Sequence, residues 1–439
     1  MKNKSVSAKK NTTTSRAVRA LRYCAVPFAA FFATQSASAA AIVWDGSTNT
    51  GAWATAANWD SDPLVPGTGD TARFIDGGGS TDTIDLGAGV TVNTISFETA
   101  NAAAYTIGTG TSQPLTLNNG GGITMGAGVN NTETILAGIV LGTDGTTQTF
   151  NVTSNNTFAT GKTLTFGNAS PQGTITGSTG SGVKTLNINT AGAGNFIGVS
   201  VISAISDGTT GTVKLVKDGD GTMQLGYNGG GMTYSGGTYL NAGTLYIVGN
   251  SVNLKTGSSL FIAGGTSLGS VNQPGGNYSG IVQQWNGDFS FNDSTRGNAS
   301  LQQMTFNTGT VDLGATGTDT VRTVNALSNT LTVNSVISNG TNTTTTGLTK
   351  TGAGTMVLGG NNTYTGTTTV NAGTLTITGV PTGGGAYAAL GSGILNISST
   401  AGSLVNSSAV TIAGGNLQLT NTSTAEGSVN RLSNSTAIT

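Results

Sequence analysis

Residues 347–379 read Gly347-Leu-Thr-Lys350-Thr-Gly-Ala-Gly354-Thr-Met-Val-Leu358-Gly-Gly-Asn-Asn-Thr-Tyr364-Thr-Gly-Thr-Thr-Thr-Val-Asn371-Ala-Gly-Thr-Leu375-Thr-Ile-Thr-Gly379. An earlier copy lies at 212–249. Leu215, Lys217, Gly219, Gly221, Thr222, Met223 and Leu225 match Leu348, Lys350, Gly352, Gly354, Thr355, Met356 and Leu358 at a constant offset of 133. The offset then drops to 130, where Tyr234, Gly236, Thr238, Asn241, Gly243, Leu245 and Ile247 match Tyr364, Gly366, Thr368, Asn371, Gly373, Leu375 and Ile377. The three extra residues of the first copy fall within Tyr227–Thr233, which is glycine-rich. A repeated structural unit accepts an insertion at such a turn.

Around the repeat one phrase recurs: apolar, polar, apolar. Ile95-Ser-Phe97, Leu115-Thr-Leu117, Leu164-Thr-Phe166, Leu186-Asn-Ile188, Leu331-Thr-Val333, Leu395-Asn-Ile397 and Leu417-Gln-Leu419 are examples. Strict alternation is the strand period with one face buried. Ile95 to Leu115 is 20 residues, as is Leu375 to Leu395; Leu164 to Leu186, Met223 to Leu245 and Leu395 to Leu417 are 22. A period of that length predicts stacked coils with an equivalent strand in each. Tandem sandwiches would need bulkier cores and linkers. Leucine-rich repeats need a Leu-x-x-Leu-x-Leu frame, which does not recur. The sequence therefore predicts an all-β parallel β-helix.

The two copies resemble the autotransporter-associated β-strand repeat, also called the passenger-associated transport repeat. Its pattern runs close to Leu-x-Lys-x-Gly-x-Gly-Thr-x-x-Leu, then Asn-x-Tyr-x-Gly-x-Thr, then Asn-x-Gly-x-Leu. Leu348, Lys350, Gly352, Gly354, Thr355, Leu358, Asn362, Tyr364, Gly366, Thr368, Asn371, Gly373 and Leu375 carry it nearly complete. The earlier copy departs at Asn-x-Tyr, where Met232 precedes Thr233-Tyr234. The resemblance implies a right-handed β-helical passenger of a bacterial surface or secreted protein, and no particular activity. The repeat positions carry their own expectations. Gly352 and Gly354 suit corners of positive φ or close approach. Leu358 and Leu375 point inward, Thr374, Thr376 and Thr378 outward. Asn371 is expected to stack on asparagines of adjacent coils. Lys217 and Lys350 are expected as solvated edge guards.

Composition bounds the remainder. Gly contributes 70 of 439 residues, and charged residues only 8%. So little charge argues against a chain held open by self-repulsion. Residues 1–39 are predicted to be a secretory signal peptide: seven basic residues, an apolar Tyr23–Thr34, and Ala37-Ser38-Ala39 as the cleavage signal. Cleavage removes seven of 17 basic residues and none of the 18 acidic ones, leaving a net charge of −8. That charge disfavours nucleic acid and anionic lipid as partners. The one cysteine, Cys24, leaves with the leader. Residues 40–80 hold Trp44, Trp53 and Trp59 and are expected to be an N-terminal cap rather than a sugar-stacking patch. The β-helical passenger is expected over 81–439. Its rhythm would place a strand at Ile438, so the chain is expected to be truncated, with membrane attachment only through a C-terminal translocator outside it. Export to the cell surface, outer membrane or extracellular space follows from the leader and the resemblance.

Chemistry is sparse in this sequence. With no histidine, imidazole catalysis and histidine metal ligation are excluded. Polysaccharide-cleaving β-helices use clustered carboxylates, so a lyase or glycosidase is the alternative reading. The candidate pairs are Asp60/Asp62, Asp82/Asp85, Asp218/Asp220 and Asp288/Asp293. Neither an EF-hand nor a Gly-Gly-x-Gly-x-Asp calcium repeat occurs. Gly275–Arg296 interrupts the rhythm, with Tyr278, Trp285, Phe289 and Phe291 expected to fill the core of an irregular coil; a protruding sugar- or protein-binding loop is the alternative. The expectation is a structural or adhesive passenger that meets surface glycans or host and matrix proteins, with no catalytic residue, metal or cofactor.

Overall fold

The computed structural model describes 39–439 except 78–81, 157–160, 169–172, 193–196, 227–231, 249–253, 273–274, 297–299, 315–320, 341–344, 399–401, 421–430 and 433–435. Nearly all of the expected signal peptide lies outside the described residues. The described chain is all-β with no α-helix, and no helix in it is long and apolar enough to cross a membrane. It winds as a parallel β-helix. The strands build three sheets, of 15, 16 and 7 members, called here the first, second and third. Among the described residues the strands pair in parallel, except where Leu301–Gln302 runs antiparallel to Ser270–Val271, and isolated antiparallel bridges join Trp44 to Trp59 and Leu390 to Gly414.

Over 276–338, Leu301–Gln302 apart, the chain goes round the three sheets in a fixed cycle, whereas in each repeat copy its strands alternate between two of them. Gly276–Tyr278 lies in the third sheet, Ile281–Trp285 in the first and Phe289–Phe291 in the second. The next coil repeats the order with Met304–Phe306, Gly309–Asp312 and Val321–Ala326, which lie in register on the coil before. Gly275–Arg296 therefore does not interrupt the fold. Its strands form one regular coil, and Tyr278, Trp285, Phe289 and Phe291 are all buried. It looked irregular because its corners are short and three phrases crowd into one turn.

The coil length varies more than the sequence suggested. Thr368 lies under Tyr387, 19 residues on, whereas Asn151 lies under Asn187, 36 residues on. Three of the five intervals read from the sequence join true neighbours: Met223 with Leu245, Leu375 with Leu395, and Leu395 with Leu417. The other two do not. Ile95 pairs with Ile123, and Leu164 lies in the second sheet while Leu186 lies in the first. Parallel coils need matching strands but tolerate unequal loops, because loop length adds closure entropy only slowly.

The interior is a set of vertical columns. One runs Ile188, Lys217, Leu240, Ile262, Trp285. Another runs Phe289, Val324, Lys350, Val370, Ala389, Ile412. Each buried aliphatic or aromatic side chain contributes roughly 1.5–3 kcal/mol relative to exposure. At the N-terminal end Trp44, Trp53 and Trp59 are buried, with edge-to-face contacts of 5.0 Å and 4.8 Å between rings, and Phe74 packs beneath. Their rings face the core and offer no stacking surface to a sugar.

Candidate functional site

The repeated residues converge on a corner where one strand ends and the chain turns into the next sheet. In the first copy the corner is Asp218–Gly221, between Val213–Asp218 in the first sheet and Thr222–Leu225 in the second. Gly219 has φ +72°, and a Cβ there would meet the Thr190 carbonyl oxygen at 2.4 Å. In the second copy Gly352 has φ +76°, with the Ala326 oxygen 2.3 Å from any Cβ. A Cβ on Gly354 would lie 3.0 Å from two carbonyl oxygens. Both roles expected of these glycines, left-handed backbone and close approach, are present.

The lysines are where the sequence reading fails. Lys217 and Lys350 are fully buried, not solvated. Each shares its inward parity with the leucine two residues before it, Leu215 and Leu348. Its stem fills an aliphatic column, and its ammonium reaches the corner. Lys217 Nζ donates to Asp218 O at 2.7 Å, Gly219 O at 2.7 Å and Ala242 O at 3.1 Å. Lys350 Nζ donates to Thr351 O at 2.7 Å, Gly352 O at 2.8 Å and Ala372 O at 3.1 Å. The third acceptor belongs to the following coil in both cases. The ammonium thus satisfies corner carbonyls that the strand ladder cannot reach, and ties one coil to the next.

Burial pushes the pKa of Lys217 down to about 7, against the pull of Asp218 and Asp220. Burial likewise lowers Lys350, to about 8. Three donated bonds need all three protons of the ammonium, so the cage opposes this depression.

A second shared element lies after the corner. Tyr234 Oη and Thr238 Oγ1 are 2.6 Å apart, and Tyr364 Oη and Thr368 Oγ1 are 2.5 Å apart. Asn362 Oδ1 accepts from the Ile337 N–H at 2.9 Å. The earlier copy has Met232 there, and its Sδ accepts from the Ile205 N–H at 3.3 Å. The departure from the repeat pattern preserves the contact with a weaker acceptor. Thr233 N–H to Ile205 O and Thr363 N–H to Ile337 O, at 2.9 and 2.8 Å, complete the match.

Asn371 does not stack on asparagines. Its side chain is exposed, and its N–H donates to Lys350 O at 2.9 Å. Asparagine ladders form elsewhere, between Asn187 and Asn151 at 3.1 Å and between Asn334 and Asn307 at 3.4 Å. Leu358 and Leu375 are buried, and Thr374, Thr376 and Thr378 face outward, as alternation requires.

The carboxylates serve turns. Asp60 accepts from the Val43 N–H at 2.9 Å, Asp288 from the Thr323 N–H at 2.7 Å, and Asp293 from Thr295. Asp85 holds the Gly87 N–H and the Gln113 amide. Asp62, Asp82 and Asp220 are exposed, and Asp218 is half-buried beside Lys217. A shallow depression lined by Gly265, Thr266, Asp288, Phe289, Ser290, Thr323 and Asn325 contains one carboxylate. No cluster of three or more potential metal ligands occurs among the described residues. Sequence reasoning missed Glu133 and Lys184. Glu133 is buried, accepts from the Tyr105 N–H at 2.9 Å, and is raised by burial to about 8. Buried Lys184 donates to Thr146 O at 2.6 Å and lies 3.7 Å from Asp144. Inward parity was the available signal for both.

A family model for the passenger-associated transport repeat matches 215–247 and 348–377. No curated protein and no solved structure matches the chain. Both matches start at the inward leucine before a caged lysine and end on the inward isoleucine of the following coil. The chain thus carries two passenger-associated transport repeats, the repeat of autotransporter-type passengers.

Proposed function

We propose that this chain is an exported β-helical passenger with a structural or adhesive role, and that its repeats promote export by making coils add in order. The observation that carries this reading is the lysine joint. Lys217 and Lys350 each bind two carbonyls of their own corner and one, Ala242 or Ala372, of the coil that follows. Before the next coil arrives, the joint lacks an acceptor; once it arrives, the joint closes. A chain emerging extended from a channel would gain that bond only by folding forward, one coil on another. Residues 1–39 act as the export signal in this reading. Residues 40–80 act as the cap, the buried Trp44, Trp53 and Trp59 sealing the first coil. Outward rows of Thr and Asn form the surface that meets glycans or host and matrix proteins.

The test is export of the Lys217→Met/Lys350→Met double variant from a host that displays the wild-type chain. Reduced surface yield, with more protease-sensitive material retained, is expected. Wild-type yield of protease-resistant surface material would refute a role for the joint in export.

A further inference from the structure

Outside the main core the described residues hold a second buried apolar cluster: Tyr246, Val248 and Val271, with Leu301 against it. Leu245 and Ile247 point into the main core, so alternation places Tyr246 and Val248 on the outer surface of the second sheet. They are nevertheless buried. The Tyr246 ring lies across the next coil at Gly269, where a Cβ would meet it at 2.6 Å.

A later part of the chain covers them. Leu301–Gln302 pairs antiparallel with Ser270–Val271. Asn292 accepts from the Ser270 N–H at 3.0 Å and donates to Gln302 O at 2.6 Å. The 3-10 turn Ser294–Arg296 then extends back over earlier coils. Tyr246 Oη donates to Asp293 O at 2.5 Å, across 47 residues of sequence. Thr222 Oγ1 donates to Arg296 O at 2.9 Å, across 74, and Arg296 Nη1 donates to Asp220 O at 3.4 Å, across 76. Arg296 also meets Asp293 at 3.5 Å. These contacts cross Thr266–Val271 and Thr244–Val248 and end on the corner that holds Lys217. The second copy offers no such platform: Thr376 and Thr378 stand where the first has Tyr246 and Val248.

We infer that residues 292–296 and 300–302 form an intramolecular clasp that locks the coils of the first repeat. Elsewhere among the described residues the strand pairs join a coil to its immediate neighbours, as in any stacked array. The clasp joins coils that do not touch, so Thr222–Phe291 opens as one cooperative unit rather than coil by coil. It closes only after Phe289–Phe291 has been laid, well after the Lys217 joint has formed.

Hydrogen–deuterium exchange on the full chain tests the clasp. The double variant Tyr246→Phe/Arg296→Ala removes the tyrosine hydroxyl and the guanidinium. Loss of two hydrogen bonds of about 1 kcal/mol each would speed exchange by roughly thirtyfold at Thr222–Leu225 and Thr244–Val248. Thr355–Leu358 and Thr374–Ile377 should be unchanged. Tyr246→Phe alone keeps the ring in place and should give a smaller increase in the same two strands. No increase in either variant, or an equal increase in both repeat copies, overturns the clasp.

Discussion

The two repeat copies have the same corner but different addresses. The first runs from the first sheet into the second, and the second runs from the second sheet into the third. Relative to the three-sheet cycle the motif has moved on by one face. Yet the lysine cage agrees to 0.1 Å in every bond, and the glycine φ values differ by only a few degrees. The motif therefore specifies a joint between coils rather than a position on the solenoid. What varies is what surrounds it: Asp218, Asp220 and Met232 in the first copy, Thr351, Ala353 and Asn362 in the second.

The corner glycines should give the largest effect, and the same one in both copies. Gly219→Val and Gly352→Val each force a β-branched residue into left-handed backbone with a carbonyl in its way, at a cost of roughly 3 kcal/mol or more. Denaturation midpoints should fall alike; a tolerated substitution at one corner would break the equivalence. Next come Lys217→Met and Lys350→Met, which keep the apolar stem and strand three carbonyls, at about 1–3 kcal/mol each. Exchange should quicken at each variant's own corner and following coil, and not at the other copy.

The acceptor at Asn362 and Met232 should separate the copies. Asn362→Leu leaves the Ile337 N–H without its acceptor and should cost about 1–3 kcal/mol. Met232→Leu removes a weaker sulfur acceptor and should cost less, about 1 kcal/mol or below. Equal losses would mean that the sulfur contact matters as much as the amide.

The smallest effect is in titration. Burial pulls Lys217 down to about 7 and Lys350 to about 8, so NMR of their ε-carbons should show both titrating below the ordinary lysine range, Lys217 the lower. Both folded pKa values lie below the unfolded one. Between about 7 or 8 and about 10.4 the unfolded chain holds a proton that the folded chain has released, so stability rises with pH across that window. Asp218→Asn/Asp220→Asn should lower Lys217 further and leave Lys350 unmoved.

The alternating phrases were legible because strand parity survives any loop length. Leu331-Thr-Val333 and Leu395-Asn-Ile397 lie in strands as expected. Coil length was not legible, because the phrases on different sheets look alike; Leu164 and Leu186 share a motif but not a sheet. The lysines misled because charge outweighed parity in the reading. Lys350 stands two residues after inward Leu348 and before a Gly-x-Gly corner rich in carbonyls, and both facts were in the sequence. The clasp was not legible: nothing local to Arg296 says that its neighbour is Asp220.

The central claim is that Lys217 and Lys350 are sealed inside the coils with their ammonium groups occupied. Amine-specific labelling of the native full chain tests it directly, with Lys255, which is only half-buried, as the internal reference. Lys255 should label readily, while Lys217 and Lys350 stay unmodified until the chain is unfolded. Labelling of either caged lysine at the rate of Lys255 in the folded protein would contradict the joint.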